Sequence, residues 1–153
     1  MASADRSAVS DRPAWFDQAG WRWRFEWGLD GLRRLAQLVD VVVVVDVLRF
    51  TTAVDVAVGR GAVVYPYRWK DGTEHELAAA RGAVVASTRI GPTEDAPWSL
   101  SPASLASIPT GTGLVLPSPN GSTLCVAAAE AGVPAVVAGC LRNATAVARA
   151  AAT

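Results

Sequence analysis

A chain of 153 residues, 51% apolar and 18% charged, has the size and composition of one folded domain and is neither disordered nor fibrous. Its 14 basic and 14 acidic side chains cancel to a formal net charge of +0. No global field exists to hold nucleic acid or an anionic membrane, so neither is an expected partner and any anion site must be local.

The first residues, 1–14, are polar and lack the apolar stretch of a secretion signal, so they read as a flexible tail ahead of a domain over 15–153. The run Val41 to Val45 is far too short to span a bilayer. Cys125 and Cys140 show neither metal spacing nor a disulfide framework, and a cytoplasmic enzyme is the expectation.

In chain order, Trp21-Arg22-Trp23-Arg24-Phe25-Glu26-Trp27 alternates apolar and charged residues and predicts a half-buried strand, its aromatics covering a sheet and Arg22, Arg24 and Glu26 facing outward. Residues 30–38 predict a short helix capped by Asp30. Residues 39–45, almost purely β-branched, predict a central strand covered on both faces. Helix 51–58, strand 62–67, helix 71–81 and strand 83–87 follow. The Pro-rich stretch 88–112 is irregular, interrupted by a short helix near 103–107. Strand 113–116, helix 122–131, strand 134–138 and helix 143–152 complete the pattern. This alternation predicts an α/β fold, a mostly parallel sheet with helices on both faces. The last helix shows no cap and no following strand, so a truncated protein is expected.

Ligands of open parallel sheets bind beyond the carboxyl ends of the strands. Three loops there carry polar residues: Asp46-Val47-Leu48-Arg49, Pro117-Ser118-Pro119-Asn120-Gly121-Ser122-Thr123, and Gly139-Cys140-Leu141-Arg142-Asn143. Asp46, at the tip of a buried strand, suits a Mg²⁺ ion as a hard oxygen ligand, or else caps the following helix. Arg49 offers a planar fork to phosphate or sulfonate, or pairs with Asp46 or Asp55. Thr51 and Thr52 donate hydroxyls or cap. The turn at Asn120 to Thr123 opens a helix whose N–H groups and dipole attract an anion. Asn143 is a cap or a ligand contact. Cys140 is a weak candidate nucleophile, His75 reads as solvated, and Glu94 and Asp95 are weak candidates for further metal ligands.

These loops carry a resemblance. Val43 to Val54, with Asp46-Val47-Leu48-Arg49 and Thr51-Thr52, resembles the D-V-L-R-x-T-T segment of the 2-phosphosulfolactate phosphatase (ComB-like) family. Pro117 to Ser122 resembles its T-T-N-G-T/S segment, Gly139 to Ala144 its G-S-x-x-N-A segment, and Ser99 to Pro102 its N-S-P turn. The resemblance implies a Mg²⁺-dependent phosphatase of α/β fold acting on 2-phospho-3-sulfolactate in coenzyme M biosynthesis. It maps the site onto Asp46, Arg49, Asn120, Gly121, Ser122 and Asn143, with Asp46 as metal ligand or water-positioning group and Arg49 and the turn 120–123 on the oxyanions. Pro117-Ser118-Pro119 departs from the family's threonines, which leaves the substrate open to a related small phosphate ester. Family members continue past residue 153, so this chain is expected to lack their C-terminal part. The alternative is a non-catalytic anion-binding α/β module or an inactive fragment of such an enzyme. The oligomeric state stays open, a homo-oligomer included.

Overall fold

The computed structural model describes residues 14–68, 71–87 and 97–152. The polar tail, apart from Ala14, and the candidate ligands Glu94 and Asp95 lie outside the described residues.

Five strands alternate with helices: β1 Val41–Val45, β2 Val63–Tyr67, β3 Val84–Val85, β4 Gly113–Pro117 and β5 Ala135–Gly139. The helices are α1 Gly28–Leu35, α2 Phe50–Gly59, α3 Glu74–Arg81, α4 Pro102–Leu105, α5 Gly121–Glu130 and α6 Ala144–Ala150. Every strand pairing is parallel, in the orders β1-β5 and β2-β4-β3. The alternation of period-2 strands and helices therefore yields the α/β fold it predicts, because a helix is the short connection that returns the chain to start a parallel strand.

The central position goes to a different strand from the one expected. β4 lies between β2 and β3, and its Leu114, Val115 and Leu116 are fully buried. β1 pairs only with β5 among the described residues, and its final Val45 is exposed. A run of valines reports a strand but not its rank in the sheet, because β-branching reflects fit to a pleated surface. Pro66 fits the lateral position of β2, where a missing N–H breaks no ladder on the free side.

The main core gathers Phe50, Ala53 and Ala57 of α2 with Leu105, Ile108, Leu114 and Leu116. α5 packs against β1, β2 and β5, and this brings its first turn to the carboxyl ends of those strands. The turn Ser99 to Pro102 is structural. Ser99 Oγ accepts from the Ser101 N–H at 3.2 Å, and Pro102 opens α4, where its missing N–H costs nothing.

Two expectations near the start of the chain fail. Asp30 does not cap α1; it lies in the first turn and pairs with Arg33 at 3.3 Å, while Trp27 is the N-cap. Residues 21–27 form no strand, and Trp21, Trp23, Phe25 and Trp27 are exposed instead of covering a sheet, while Arg22 and Glu26 are exposed as predicted. Alternation specifies two chemically distinct faces but not that a sheet is there to receive one of them.

Candidate active site

Asp46 follows the last residue of β1, where Val45 is in register with Gly139 of β5. Its backbone is pinned from both sides. The Asp46 N–H donates to Thr51 Oγ1 at 3.2 Å, and its C=O accepts from the Thr51 N–H at 2.9 Å. The Thr52 hydroxyl donates to the Val47 carbonyl at 2.8 Å. Both threonine hydroxyls are thereby engaged in shaping the loop that starts α2.

The Asp46 carboxylate reaches across to another helix. Its Oδ2 accepts from the Gly121 N–H, the first of α5, at 3.0 Å. Asp46 is thus an anionic cap, but of α5, 75 residues away in sequence, rather than of the helix that follows it. Oδ1 makes no hydrogen bond among the described residues.

This contact needs a glycine. A Cβ at position 121 would lie 2.1 Å from Phe50 Cδ1 and 2.8 Å from Asp46 Oδ2. The next N–H groups, of Ser122 and Thr123, make no hydrogen bond among the described residues, and of the two only half-buried Thr123 is open to an acceptor. Both hydroxyls are engaged. Ser122 Oγ, fully buried, donates to the Leu116 carbonyl at 2.7 Å, and Thr123 Oγ1 turns toward the Ser118 carbonyl at 3.4 Å. Asn120, the N-cap residue, is exposed and makes no side-chain cap bond.

The β5 loop is braced in the same way. Asn143 Oδ1 accepts from the Cys140 N–H at 2.8 Å and its Nδ2 donates to the Ala138 carbonyl at 3.0 Å. Asn143→Ala leaves both backbone groups without these partners, so it should cost about 1–3 kcal/mol, read from urea-unfolding midpoints. Arg142 Nε bonds Asp55 Oδ2 at 2.8 Å and ties this loop to α2. Asp55 therefore pairs with Arg142 rather than Arg49. Arg49 is exposed at the N-cap of α2 with no ion pair among the described residues.

Neither cysteine presents a reactive thiol to the rim. Cys140 is buried at 5% exposure, a poor place for a nucleophile that must meet substrate. Cys125 lies one turn along α5 from Gly121. Burial, then the Asp46 charge, pushes its thiol up to about 11 from 9.0. Its neutral form is favoured by the fold, so the stability it contributes is complete below pH 9 and lost as pH rises toward 11. The urea midpoint of the wild-type chain should fall relative to that of Cys125→Ala across that window. His75 is exposed, as expected.

The arrangement is that of a parallel α/β protein holding a carboxylate, a helix N-terminus and a guanidinium with no ion-pair partner among the described residues at the carboxyl ends of its strands, the edge where such folds bind phosphorylated ligands. A family model described as 2-phosphosulpholactate phosphatase matches residues 30–153, and the chain belongs to that family. No curated protein and no solved structure matches it. The family's name is that of a phosphatase, a hydrolase whose substrate is a small phosphate ester. No helix among the described residues is long and apolar enough to cross a membrane.

Proposed function

We propose that this rim hydrolyses a small acidic phosphate monoester, 2-phospho-3-sulfolactate or a close relative, with a divalent cation. The observation that carries the reading is the Asp46–Gly121 hydrogen bond, because it brings the end of β1 and the start of α5 to one place. The Val45–Gly139 register adds the β5 loop beside them.

The roles follow from which groups remain free. The Thr123 N–H receives a phosphate oxygen at the positive end of α5, with exposed Asn120 near it and Ser122 buried behind. Arg49 takes a second oxyanion of the substrate, phosphate or sulfonate, through its planar fork. Asn143 and Gly121 act on the site from behind. The first sets the β5 loop and the second orients Asp46.

Among the described residues no three His, Cys, Asp or Glu side chains converge on a point that could hold a metal ion. The donor set at the rim is one carboxylate oxygen, Asp46 Oδ1. That fits Mg²⁺ in its usual enzyme setting, where one or two carboxylates, waters and the substrate's own phosphate complete the shell. When bound there, the cation neutralises charge building on the phosphoryl oxygens.

The test is phosphate release by the protein from phosphosulfolactate and from analogues lacking the sulfonate, with Mg²⁺ and with a chelator. Release that requires both the cation and Asp46 supports the reading. No release from any small carboxylated phosphate ester defeats it, and stabilisation by phosphate without turnover would assign a binding module instead.

A further inference from the structure

The chain has two asparagines, and the fold treats them oppositely. The side-chain amide of Asn143 is bonded to the backbone through both its oxygen and its nitrogen. That of Asn120 is exposed and makes no hydrogen bond among the described residues. Asn120 is also followed by Gly121. An asparagine before glycine is the linkage most prone to lose its amide, because glycine has no side chain to crowd its nitrogen as that nitrogen approaches the asparagine's Cγ. The Asn120 backbone is already turned toward this reaction. Its ψ of −80° brings the Gly121 nitrogen nearer to eclipsing the Asn120 Cβ, the arrangement of the closed ring, than a helical or extended ψ does.

One contact opposes the reaction, and it falls on the attacking atom. The Gly121 N–H donates to Asp46 Oδ2 at 3.0 Å. An N–H in the first turn of a helix has no partner within the helix, so without Asp46 this one would be unbound. A nitrogen that bonds to Cγ gives up its hydrogen. The Asp46 bond must therefore be lost before the ring closes, and whatever it contributes is added to the barrier.

We propose that Asn120 is a site of spontaneous deamidation and that the Asp46 carboxylate is the brake that keeps it slow in the folded protein. In this reaction a bond forms between the Gly121 nitrogen and Asn120 Cγ while the Cγ–Nδ2 bond breaks. The proton of the Gly121 nitrogen leaves with Nδ2 as ammonia. Water then opens the resulting succinimide ring at either carbonyl and leaves an aspartyl or an isoaspartyl linkage. Both products add a carboxylate near Asp46, at the positive end of α5, where it repels any anion drawn there. The isoaspartyl product also lengthens the main chain by one carbon directly before Gly121. The inference concerns the linkage itself and does not depend on the rim being a phosphatase site.

Mass spectrometry of the peptide spanning Asn120, taken from protein kept for days at neutral pH, tests this. The folded wild type should convert slowly and the same chain unfolded in guanidinium quickly. Asp46→Ala should convert roughly 10- to 100-fold faster than the folded wild type, the factor by which a hydrogen bond to a charged group raises a barrier. Asp46→Asn, whose carbonyl still accepts the Gly121 N–H, should stay slow. Asn143→Ala loses stability but keeps the Asp46 bond, so Asn120 should stay slow there too. Within the wild type, sub-denaturing guanidinium should raise the exchange of the Gly121 amide and the conversion of Asn120 in parallel. The proposal is overturned if Asp46→Ala converts as slowly as wild type, or if Asn143→Ala is accelerated as much as Asp46→Ala. Conversion in the folded wild type as fast as in the unfolded chain, or conversion that rises without Gly121 exchange, overturns it as well.

Discussion

On the proposed reading, Asp46→Asn should lower phosphate release by about 10²-fold or more while leaving the fold nearly as stable as wild type, whereas Asp46→Ala should lower both. The contrast follows from the two jobs of one carboxylate. Oδ2 accepts the Gly121 N–H at 3.0 Å and so caps α5, while Oδ1 is the oxygen that the proposed function assigns to the reaction. Asparagine can present its carbonyl to Gly121 and keep the cap. It gives up only the charge at the helix terminus, about 0.3–1 kcal/mol. Alanine also removes the cap itself, about 1 kcal/mol more. Both variants lose the anionic oxygen at the site, and turnover should fall by about 10²-fold or more in each. Urea midpoints and kcat give the two readouts. Exchange of the Gly121 amide gives a third: the first N–H of a helix normally exchanges freely, so its protection in wild type and Asp46→Asn, with loss in Asp46→Ala, isolates the bond. Near-normal turnover in Asp46→Asn would remove the carboxylate from the chemistry.

Much of this arrangement was legible in the sequence, for physical reasons that also mark where legibility ends. Val41 to Val45 ending at Asp46 announces a strand with a carboxylate at its tip, and a parallel sheet then puts that tip beside the other βα loops. The helix starts at Gly121 and Asn143 were readable from turn residues. What local pattern could not give is partner choice across the chain. Asp46 could bond within its own loop or anywhere along the same edge, and only the fold selects Gly121, 75 residues on. Arg142, and not Arg49, takes Asp55 for the same reason. Ser122, readable as a donor to substrate, is instead turned onto Leu116, because a hydroxyl in the first turn of a buried helix finds the preceding strand's carbonyl nearer than solvent.

The aromatic segment shows a different limit. Period-2 alternation over 21–27 is a pattern that a strand would exploit, but it supplies no neighbouring strand to pair with. The segment forms no strand, and its aromatics are exposed together with Arg22 and Glu26. Strand rank is equally invisible to local pattern: β4, with fewer β-branched residues than β1, is the one that lies between two others.

Gly121→Ala should damage stability and turnover together, although at an ordinary first helical position this change is neutral or stabilising. Alanine restricts the unfolded chain and favours helix, worth about 0.4–1 kcal/mol where the backbone accepts it. At this position the sign reverses, because the new Cβ falls 2.1 Å from Phe50 Cδ1 and 2.8 Å from Asp46 Oδ2, and real contacts do not approach below 3.0 Å. Phe50 is fully buried in the core cluster with Ala53, Ala57, Leu105 and Leu116. The half-buried Asp46 carboxylate is the freer of the two neighbours and moves first. Overpacking of this kind costs about 1–3 kcal/mol. A displacement near 1 Å at a reacting group lowers turnover by about 10²-fold. A double-mutant cycle with Phe50→Ala separates the two effects. With Cγ and the ring gone, the added methyl should cost less stability in thermal unfolding than it does beside Phe50, while the contact with Oδ2 persists and kcat stays low. A kcat in the double variant equal to that of Phe50→Ala alone would show that the ring, rather than the carboxylate, is what Gly121 accommodates.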